Sequence, residues 1–136
     1  MPKEEKRSIN SNKLIIKKKG ASDEQNKWVM SVYHECGDDL EAVLMVEGES
    51  GFVLNARNKN KNGTTDLGLF QLNSQFNGKF IRSPQFKDPY EQIKYGCAKW
   101  KSTKHLGARK SPWYAYRNIG TNKKAHANIL KNFIIL

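Results

Sequence analysis

Residues 49–74 read ESGFVLNARNKNKNGTTDLGLFQLNS, and they mark the point where a helical pattern of apolar residues ends. Upstream of this stretch, apolar residues recur at helical spacing from Leu40 to Val46. Residues 52–68 lose that period and are rich in Asn, Gly and Thr, with the strong hairpin turn Asn62-Gly63 among them. The stretch therefore predicts a helix followed by one small antiparallel hairpin.

Capping and stop signals on both sides of this stretch predict further helices. The signals that open the predicted helices are Ser22-Asp23-Glu24-Gln25, Asp38-Asp39-Leu40-Glu41, Asp88-Pro89-Tyr90-Glu91, Ser111-Pro112 and Thr121. The last of these helices is expected to carry Phe133 on its apolar stripe. Taken with the hairpin, the pattern predicts an α+β fold that is mainly helical.

The charge of the chain is strongly basic and unevenly distributed. The 136 residues include 24 Lys and Arg against 13 Asp and Glu, a formal net charge of +11. Such a surplus favours a polyanionic partner: nucleic acid, anionic lipid or cell wall. Residues 1–20 hold seven Lys or Arg, two Glu and no sustained apolar period, so they are predicted to be a flexible basic arm. Residues 21–136 are then expected to form one catalytic domain.

Several classes of protein and of site are not supported by the sequence. The apolar runs are too short for membrane insertion, and the beginning MPKEEKR leads into no apolar segment, so no Sec-type signal peptide is expected. Cys36 and Cys97 allow one disulfide or two buried thiols, and thiols are favoured because no export signal is seen. The three His residues lack metal-ligand spacing, and no nucleophile or nucleotide motif occurs, so neither metal nor cofactor is expected.

Two carboxylates near the end of the second helix are the best candidates for chemistry. Glu47 and Glu49 are two residues apart, about 200° around a helix, so one is expected to face solvent and the other a cleft or the core. A carboxyl group among apolar side chains has a raised pKa, as a general acid requires. Asp66 follows 17 residues after Glu49, beyond the hairpin turn, and can fold back to the opposite wall of a groove. Glycoside hydrolysis uses such a pair of carboxylates. The alternative that Glu47 and Glu49 are both ordinary surface acids stays open.

The quoted stretch also carries a family pattern. It reads E-S-x-F-x(3)-A-x-N-x-N-x(2)-G-x-T-D-x-G-x(2)-Q-x-N-S from Glu49 to Ser74, which resembles the active-site stretch of C-type lysozymes and of the related small lytic transglycosylases. A second block, with Gly96-Cys97-Ala98-Lys99 followed by Trp113-Tyr114-Ala115-Tyr116-Arg117-Asn118, resembles the C-terminal helical segment of that family. The resemblance implies a lysozyme-like fold with the small sheet flanking the active-site cleft.

The resemblance also implies roles for individual residues. Glu49 would be the general acid and base, Asp66 the nucleophile or stabiliser of the oxocarbenium-like state, and Trp113 the apolar wall beside Glu49. The substrate-binding residues it implies are Asn58, Asn60, Gln71, Asn73, Trp113 and Tyr116. The chain departs from the family in lacking its disulfide framework and in having Gln75-Phe76 where a tryptophan pair is common.

The function expected from the resemblance is that of a peptidoglycan muramidase that cleaves the β-1,4 bond between N-acetylmuramic acid and N-acetylglucosamine. A lytic transglycosylase that forms 1,6-anhydro products with Glu49 alone is the alternative within the family. A catalytically inactive module that binds cell wall or nucleic acid is the alternative from another class. The main expectation is a monomer that binds glycan strands and no specific nucleic acid. It would act at the bacterial wall after phage release, from a virion or by a specialised export route.

Overall fold

The computed structural model describes residues 14–136. Within that range the helices are α1 Asp23–Glu35, α2 Leu40–Ser50, α3 Gly78–Ile81, α4 Pro89–Thr103, α5 Tyr114–Ile119 and α6 Lys123–Leu130. The strands are β1 Ile16–Lys18, β2 Arg57–Lys59, β3 Thr65–Leu67, β4 Leu72–Asn73 and β5 Phe133–Ile135. No helix in the described range is long and apolar enough to cross a membrane.

The strands form two small antiparallel sheets. In the first, β3 lies between β2 and β4, so that Asp66 pairs with Asn58 on one side and with Asn73 on the other. In the second, β1 pairs with β5, and Ile16 lies opposite Ile135. The predicted hairpin and the predicted α+β class are confirmed; β4 and the sheet of β1 and β5 were not predicted.

Local capping determines where three of the helices begin; at α2 the N-cap is Asp39 and not Asp38, the first residue of the predicted capping box. Ser22 and Gln25 form a reciprocal capping box at the start of α1. The Asp39 side chain accepts from the Glu41 N–H at the start of α2. At α4, the Asp88 side chain accepts from the Tyr90 N–H in the same way. These contacts satisfy backbone donors that a helix leaves free at its first turn.

The C-terminal part of the chain differs from the prediction in three places. Helix α5 begins at Tyr114 and not at Ser111-Pro112, because Ser111 is extended and Trp113 is extended as well, with φ −93° and ψ 121°, and therefore takes the N-cap position. Helix α6 is capped by Asn122 instead of Thr121. Phe133 lies in β5, where its strand pairs with β1.

The predicted arm over residues 1–20 extends too far. Strand β1 is paired along its length, Ile16 is fully buried, and the Lys18 ammonium lies 2.9 Å from the Glu47 carboxylate. Residues 16–18 therefore belong to the folded domain, and a domain boundary at residue 20 is wrong. The remainder of the predicted arm, residues 1–13, lies outside the described residues.

The two cysteines form a disulfide, so the prediction of free thiols is wrong. Cys36 at the end of α1 is bonded to Cys97 in the middle of α4, across 61 residues of sequence. Both residues are buried, and α1 and α4 pack against each other. Composition could show two cysteines but not the packing that brings them together.

The hydrophobic core is built around α2. Residues 42–46 of this helix are all fully buried. They belong to one hydrophobic cluster with apolar residues of α1, α4 and α5, and with Phe52 and Phe70 from the segments beside the small sheet. Because every side of α2 is covered at this point, its C-terminal end is held in a fixed position. That end carries Glu49.

Candidate active site

Glu49 lies in a cleft of about 660 Å³ between the small sheet and the helices. Asp66 lies in the same cleft, so the structure brings the two predicted carboxylates together. The cleft is lined by Glu49, Asn60, Asn62, Asp66, Gln71, Leu72, Asn73, Phe76, Asn77, Lys99, Pro112, Trp113, Tyr114 and Arg117.

The environment of Glu49 favours its protonated form. Burial raises the pKa of this carboxyl group above its ordinary value, and the nearby charge of Asp66 raises it further. Two effects lower it: the hydrogen bond from the Ala115 N–H to Oε2 at 2.8 Å, which is second in size to desolvation, and the positive charge of Arg117, which is the smallest. Desolvation is the largest of these effects, so the balance is a raised pKa. A raised pKa of this kind favours the protonated carboxyl group that a general acid requires.

A close contact between α2 and α5 makes the hydrogen bond from Ala115 to Glu49 possible. A Cβ atom placed on Gly48 would lie only 2.7 Å from the Ala115 Cβ, closer than two carbon atoms can pack. Glycine therefore allows the start of α5 to approach the helix that carries Glu49. The side chain of Glu49 accepts from the first turn of α5, where backbone N–H groups have no partner within the helix.

Trp113 lines the cleft with a buried apolar ring. Its side chain is 5% exposed, and its Nε1 donates to the Phe70 carbonyl at 2.8 Å. The ring packs against Trp100 and Phe70, with centroids 5.9 and 6.2 Å away. Gly96 makes room for the Phe70 ring, since a Cβ there would lie 2.4 Å from it. These contacts fix the position of the Trp113 indole ring.

Asp66 has a more polar environment than Glu49. It is half-buried on β3, between Asn58 and Asn73 of the neighbouring strands. The Asn73 amide donates to Asp66 Oδ1 at 3.0 Å. Hydrogen bonds to an ionised carboxylate stabilise its charge. The two carboxyl groups of the cleft thus have different partners: a backbone N–H for Glu49 and a side-chain amide for Asp66.

A network of amide and hydroxyl groups holds the turn beside Asp66. Both Asn60 and Asn73 donate to the Thr64 hydroxyl at 3.0 Å, and that hydroxyl donates to Asn62 at 2.6 Å. Gln71 is largely buried and donates to the carbonyls of Ala56 and Gly68. These residues shape the cleft wall. Among residues 14–136, no three His, Cys, Asp or Glu side chains are grouped as a metal site would need.

Two of the predicted site residues do not line the cleft. Asn58 is on β2 and donates its amide to Gln71 at 2.7 Å, which supports the sheet. Tyr116 is buried against Trp100, with ring centroids 4.7 Å apart. Burial and the Glu41 carboxylate raise the pKa of its hydroxyl well above the ordinary value. The other predicted residues line the cleft: Glu49, Asp66, Asn60, Gln71, Asn73 and Trp113.

Glu47 lies on another side of α2 but does not face solvent, which corrects the expectation for this pair. Its side chain is 8% exposed and forms an ion pair with Lys18 at 2.9 Å. Asn132 donates to its other oxygen at 2.9 Å. The pair ties β1 and the chain before β5 to the end of α2, so Glu47 has a structural position behind the site.

The structure adds cleft residues that the sequence did not indicate. Phe76 and Tyr114 are 75% and 73% exposed, which is unusual for large aromatic side chains. Tyr114 lies beneath the Arg117 guanidinium, 5.5 Å from the ring centroid. Lys99 also lines the cleft. In the sequence, Phe76 was noted only as a departure from the family pattern. Nothing in the sequence distinguished Lys99 from a solvent-exposed lysine on a basic helix.

Comparison with known proteins gives one short similarity. A 34-residue segment is 53% identical to "Lysozyme c-1" of Anopheles gambiae, and it covers 25% of this chain and 24% of that protein. The match thus spans about a quarter of the length of this curated relative. No family model and no solved structure matches the chain. The segment and the α+β architecture are consistent with a lysozyme-like fold.

Proposed function

We propose that this protein is a muramidase, a glycoside hydrolase that cleaves the β-1,4 bond between N-acetylmuramic acid and N-acetylglucosamine in peptidoglycan. The observation that carries the proposal is the half-buried Glu49, with its raised pKa, in one cleft with Asp66. The 34-residue similarity to a lysozyme supports the same reaction class. The substrate would be bound along the cleft as a glycan strand.

The proposed reaction uses the two carboxyl groups in turn. Protonated Glu49 donates its proton to the glycosidic oxygen as the bond from C1 to that oxygen breaks. Asp66 attacks C1 or stabilises the positive charge that develops there. Glu49, now ionised, then takes a proton from a water molecule that attacks C1, which regenerates both groups and releases a reducing sugar.

Exposed aromatic rings suit the binding of sugars in this cleft. Phe76 projects from the segment after β4, and Tyr114 projects from the start of α5. Both rings present apolar faces against which the C–H faces of pyranose rings pack. Asn60 adds an amide group for hydroxyl and N-acetyl substituents, whereas Asn73 is engaged with Thr64 and Asp66. Phe76 would take the place of the tryptophan pair common in the family.

The first test is the substitution Glu49→Gln. Lysis of purified sacculi should fall by about 100- to 10,000-fold, because the amide cannot donate the proton that the leaving group needs. Release of reducing sugar from sacculi measures the effect. Glu24→Gln is the matched control, since it removes one exposed carboxylate at the start of α1. Substantial lysis by the folded Glu49→Gln protein would refute the assignment.

A second test separates hydrolysis from 1,6-anhydro-forming transglycosylation. With Asp66 stabilising charge at C1, Asp66→Asn should lower cleavage by about 100- to 1,000-fold, and wild-type products should carry reducing ends. Mass spectrometry of the released muropeptides distinguishes the two. A product pool dominated by 1,6-anhydro ends, with Asp66→Asn still active, would favour the transglycosylase instead. Wild-type inactivity on every wall tested would favour the binding module.

A further inference from the structure

Lys99 has an unusual position for a lysine in so basic a protein. It lies on α4 and lines the same cleft as Glu49 and Asp66. Its ammonium donates to the Asn77 side-chain oxygen at 3.1 Å. None of the ion pairs among residues 14–136 includes Lys99, whereas Lys18 and Lys104 are each paired with a carboxylate. Lys99 is thus a cation in the cleft that has a neutral partner.

The position of this ammonium is fixed by a rigid acceptor. Asn77 is 5% exposed, its oxygen also accepts from the Tyr95 hydroxyl at 2.8 Å, and its amide donates to the Asn73 carbonyl at 3.1 Å. Tyr95 in turn is stacked on Phe80, with ring centroids 4.0 Å apart. The hydrogen bond to Asn77 therefore places the charge at one point along the cleft.

Partial burial leaves this charge incompletely stabilised. Desolvation lowers the pKa of Lys99 from its ordinary value, and a neutral amide returns less stabilisation than an anion would. A carboxylate that enters the cleft at this point would form a partly desolvated ion pair. Such pairs are screened less by salt than surface pairs are.

We propose that Lys99 binds a carboxylate carried by the muramic acid unit of the substrate and so selects charged glycan over neutral poly-N-acetylglucosamine. This inference rests on the proposed function, because it concerns the substrate of the same cleft. The carboxylate has two sources: the lactyl group of a muramic acid without peptide, and the stem peptide where one is attached. Both offer the same chemistry to the ammonium.

The test is a binding measurement that does not depend on turnover. Dissociation constants are measured by calorimetry for the Glu49→Gln protein with and without Lys99→Met. The ligands are an N-acetylglucosamine hexamer, a glycan hexamer stripped of peptide, and the same hexamer with stem peptides. The preference for charged over neutral ligand, as a ratio of dissociation constants, should fall about tenfold in Lys99→Met. Loss with the peptide-free ligand alone identifies the lactyl carboxylate, and loss with the peptide form alone identifies the stem peptide. Loss with both means that Lys99 binds a carboxylate from either source.

Two controls keep the result decisive. Lys101→Met removes an exposed charge two residues further along α4, outside the cleft, and should change the ratio by less than about twofold. Methyl esters of the charged ligands remove the carboxylate charge while the protein keeps Lys99, so they test the pair even where Lys99→Met is poorly folded. In Lys99→Met, Asn77 keeps its bond from Tyr95.

The outcomes for Lys99 and for the proposed function are distinct. A ratio that stays the same in Lys99→Met, or esters that bind as tightly as the free acids, would overturn the role of Lys99. Wild-type protein that cleaves none of the three ligands nor sacculi would overturn the muramidase, whatever the binding ratio shows. Lys99→Arg should keep most of the preference, because it keeps the charge.

Discussion

The partner of each carboxylate determines what the two glutamates at the end of α2 can do. Glu47 has a contacting ammonium from Lys18 and an amide from Asn132, so its charge is balanced within the structure. Glu49 is desolvated, and its closest donor is one backbone N–H from Ala115. Glu49 therefore combines a raised pKa with access to the cleft, and proton donation requires this combination.

The raised pKa of Glu49 predicts how stability depends on pH. In the window from the ordinary value of 4.5 up to the raised folded value, the folded state binds more protons than the unfolded state, so stability falls as pH rises. Glu49→Gln has no such penalty. Its melting temperature relative to wild type, measured by circular dichroism, should therefore increase as the pH rises from the ordinary value of 4.5 through the raised folded value.

The control for this prediction is again Glu24→Gln. The Glu24 side chain is exposed, so its ionisation does not bury a charge. The difference in melting temperature between Glu24→Gln and wild type should therefore depend less on pH. A stability advantage of Glu49→Gln that shrinks as pH rises would mean that the folded structure stabilises the ionised form, and the assignment of Glu49 as the acid would lose its physical basis.

Sequence reasoning reached the residues whose position follows from local spacing. Glu49 and Asp66 are fixed by a helix end and a tight hairpin, both of which are visible in the sequence. Tyr116 was misplaced because the family pattern gives its neighbours in the chain but not the direction of its side chain, which packs on Trp100. Lys99 was missed because its setting depends on Asn77 and Tyr95, which lie on separate segments.

At the scale of elements, three of the helix starts could be predicted from local sequence, whereas the terminal strands could not. The starts of α1, α2 and α4 depend on caps within a few residues, so they could be predicted. Strands β1 and β5 are three residues each and lie at opposite ends of the described chain. Neither has a periodic signal by itself, and each becomes a strand only because the other is beside it.

The disulfide between α1 and α4 predicts a large loss of stability on reduction. Cys36→Ala with Cys97→Ala should lower the free energy of unfolding by about 4 kcal/mol, because the open chain gains the entropy of a 61-residue loop. Urea unfolding of the double variant and of wild type, each with and without reductant, measures this. Such bonds persist in oxidising surroundings, which suits a protein proposed to act at a wall outside the cytoplasm.

The double variant is also the control for the reductant. Reductant should lower the free energy of unfolding of wild type and leave that of the variant unchanged. Equal stability of reduced and oxidised wild type would mean that helix packing alone holds α1 against α4. The expected order is oxidised wild type above reduced wild type, with the variant close to the reduced form.

At the scale of the whole molecule, the net charge of +11 predicts salt-sensitive action on walls. Peptidoglycan with stem-peptide carboxylates and attached anionic polymers attracts such a protein over distances that salt screens. Lysis of sacculi should fall about tenfold between about 0.05 and 0.5 M NaCl. Turbidity measurements on sacculi give the rate.

Cleavage of a neutral N-acetylglucosamine hexamer under the same conditions is the comparison. Its rate should change by less than about twofold, because attraction to a polyanion plays no part in it. An equal loss of activity on both substrates would place the effect of salt on the cleft itself and not on retention at the wall.

The pairing of β1 with β5 also has a topological consequence. Ile15 and Leu136 exchange two backbone hydrogen bonds, of 3.2 and 2.8 Å, so the chain enters and leaves the described domain at adjacent points. A domain with neighbouring entry and exit points can be spliced into a surface loop of a host protein without forcing that loop apart. It can also be circularly permuted, with a short linker across residues 15 and 136 and new ends at the exposed turn of residues 61–63.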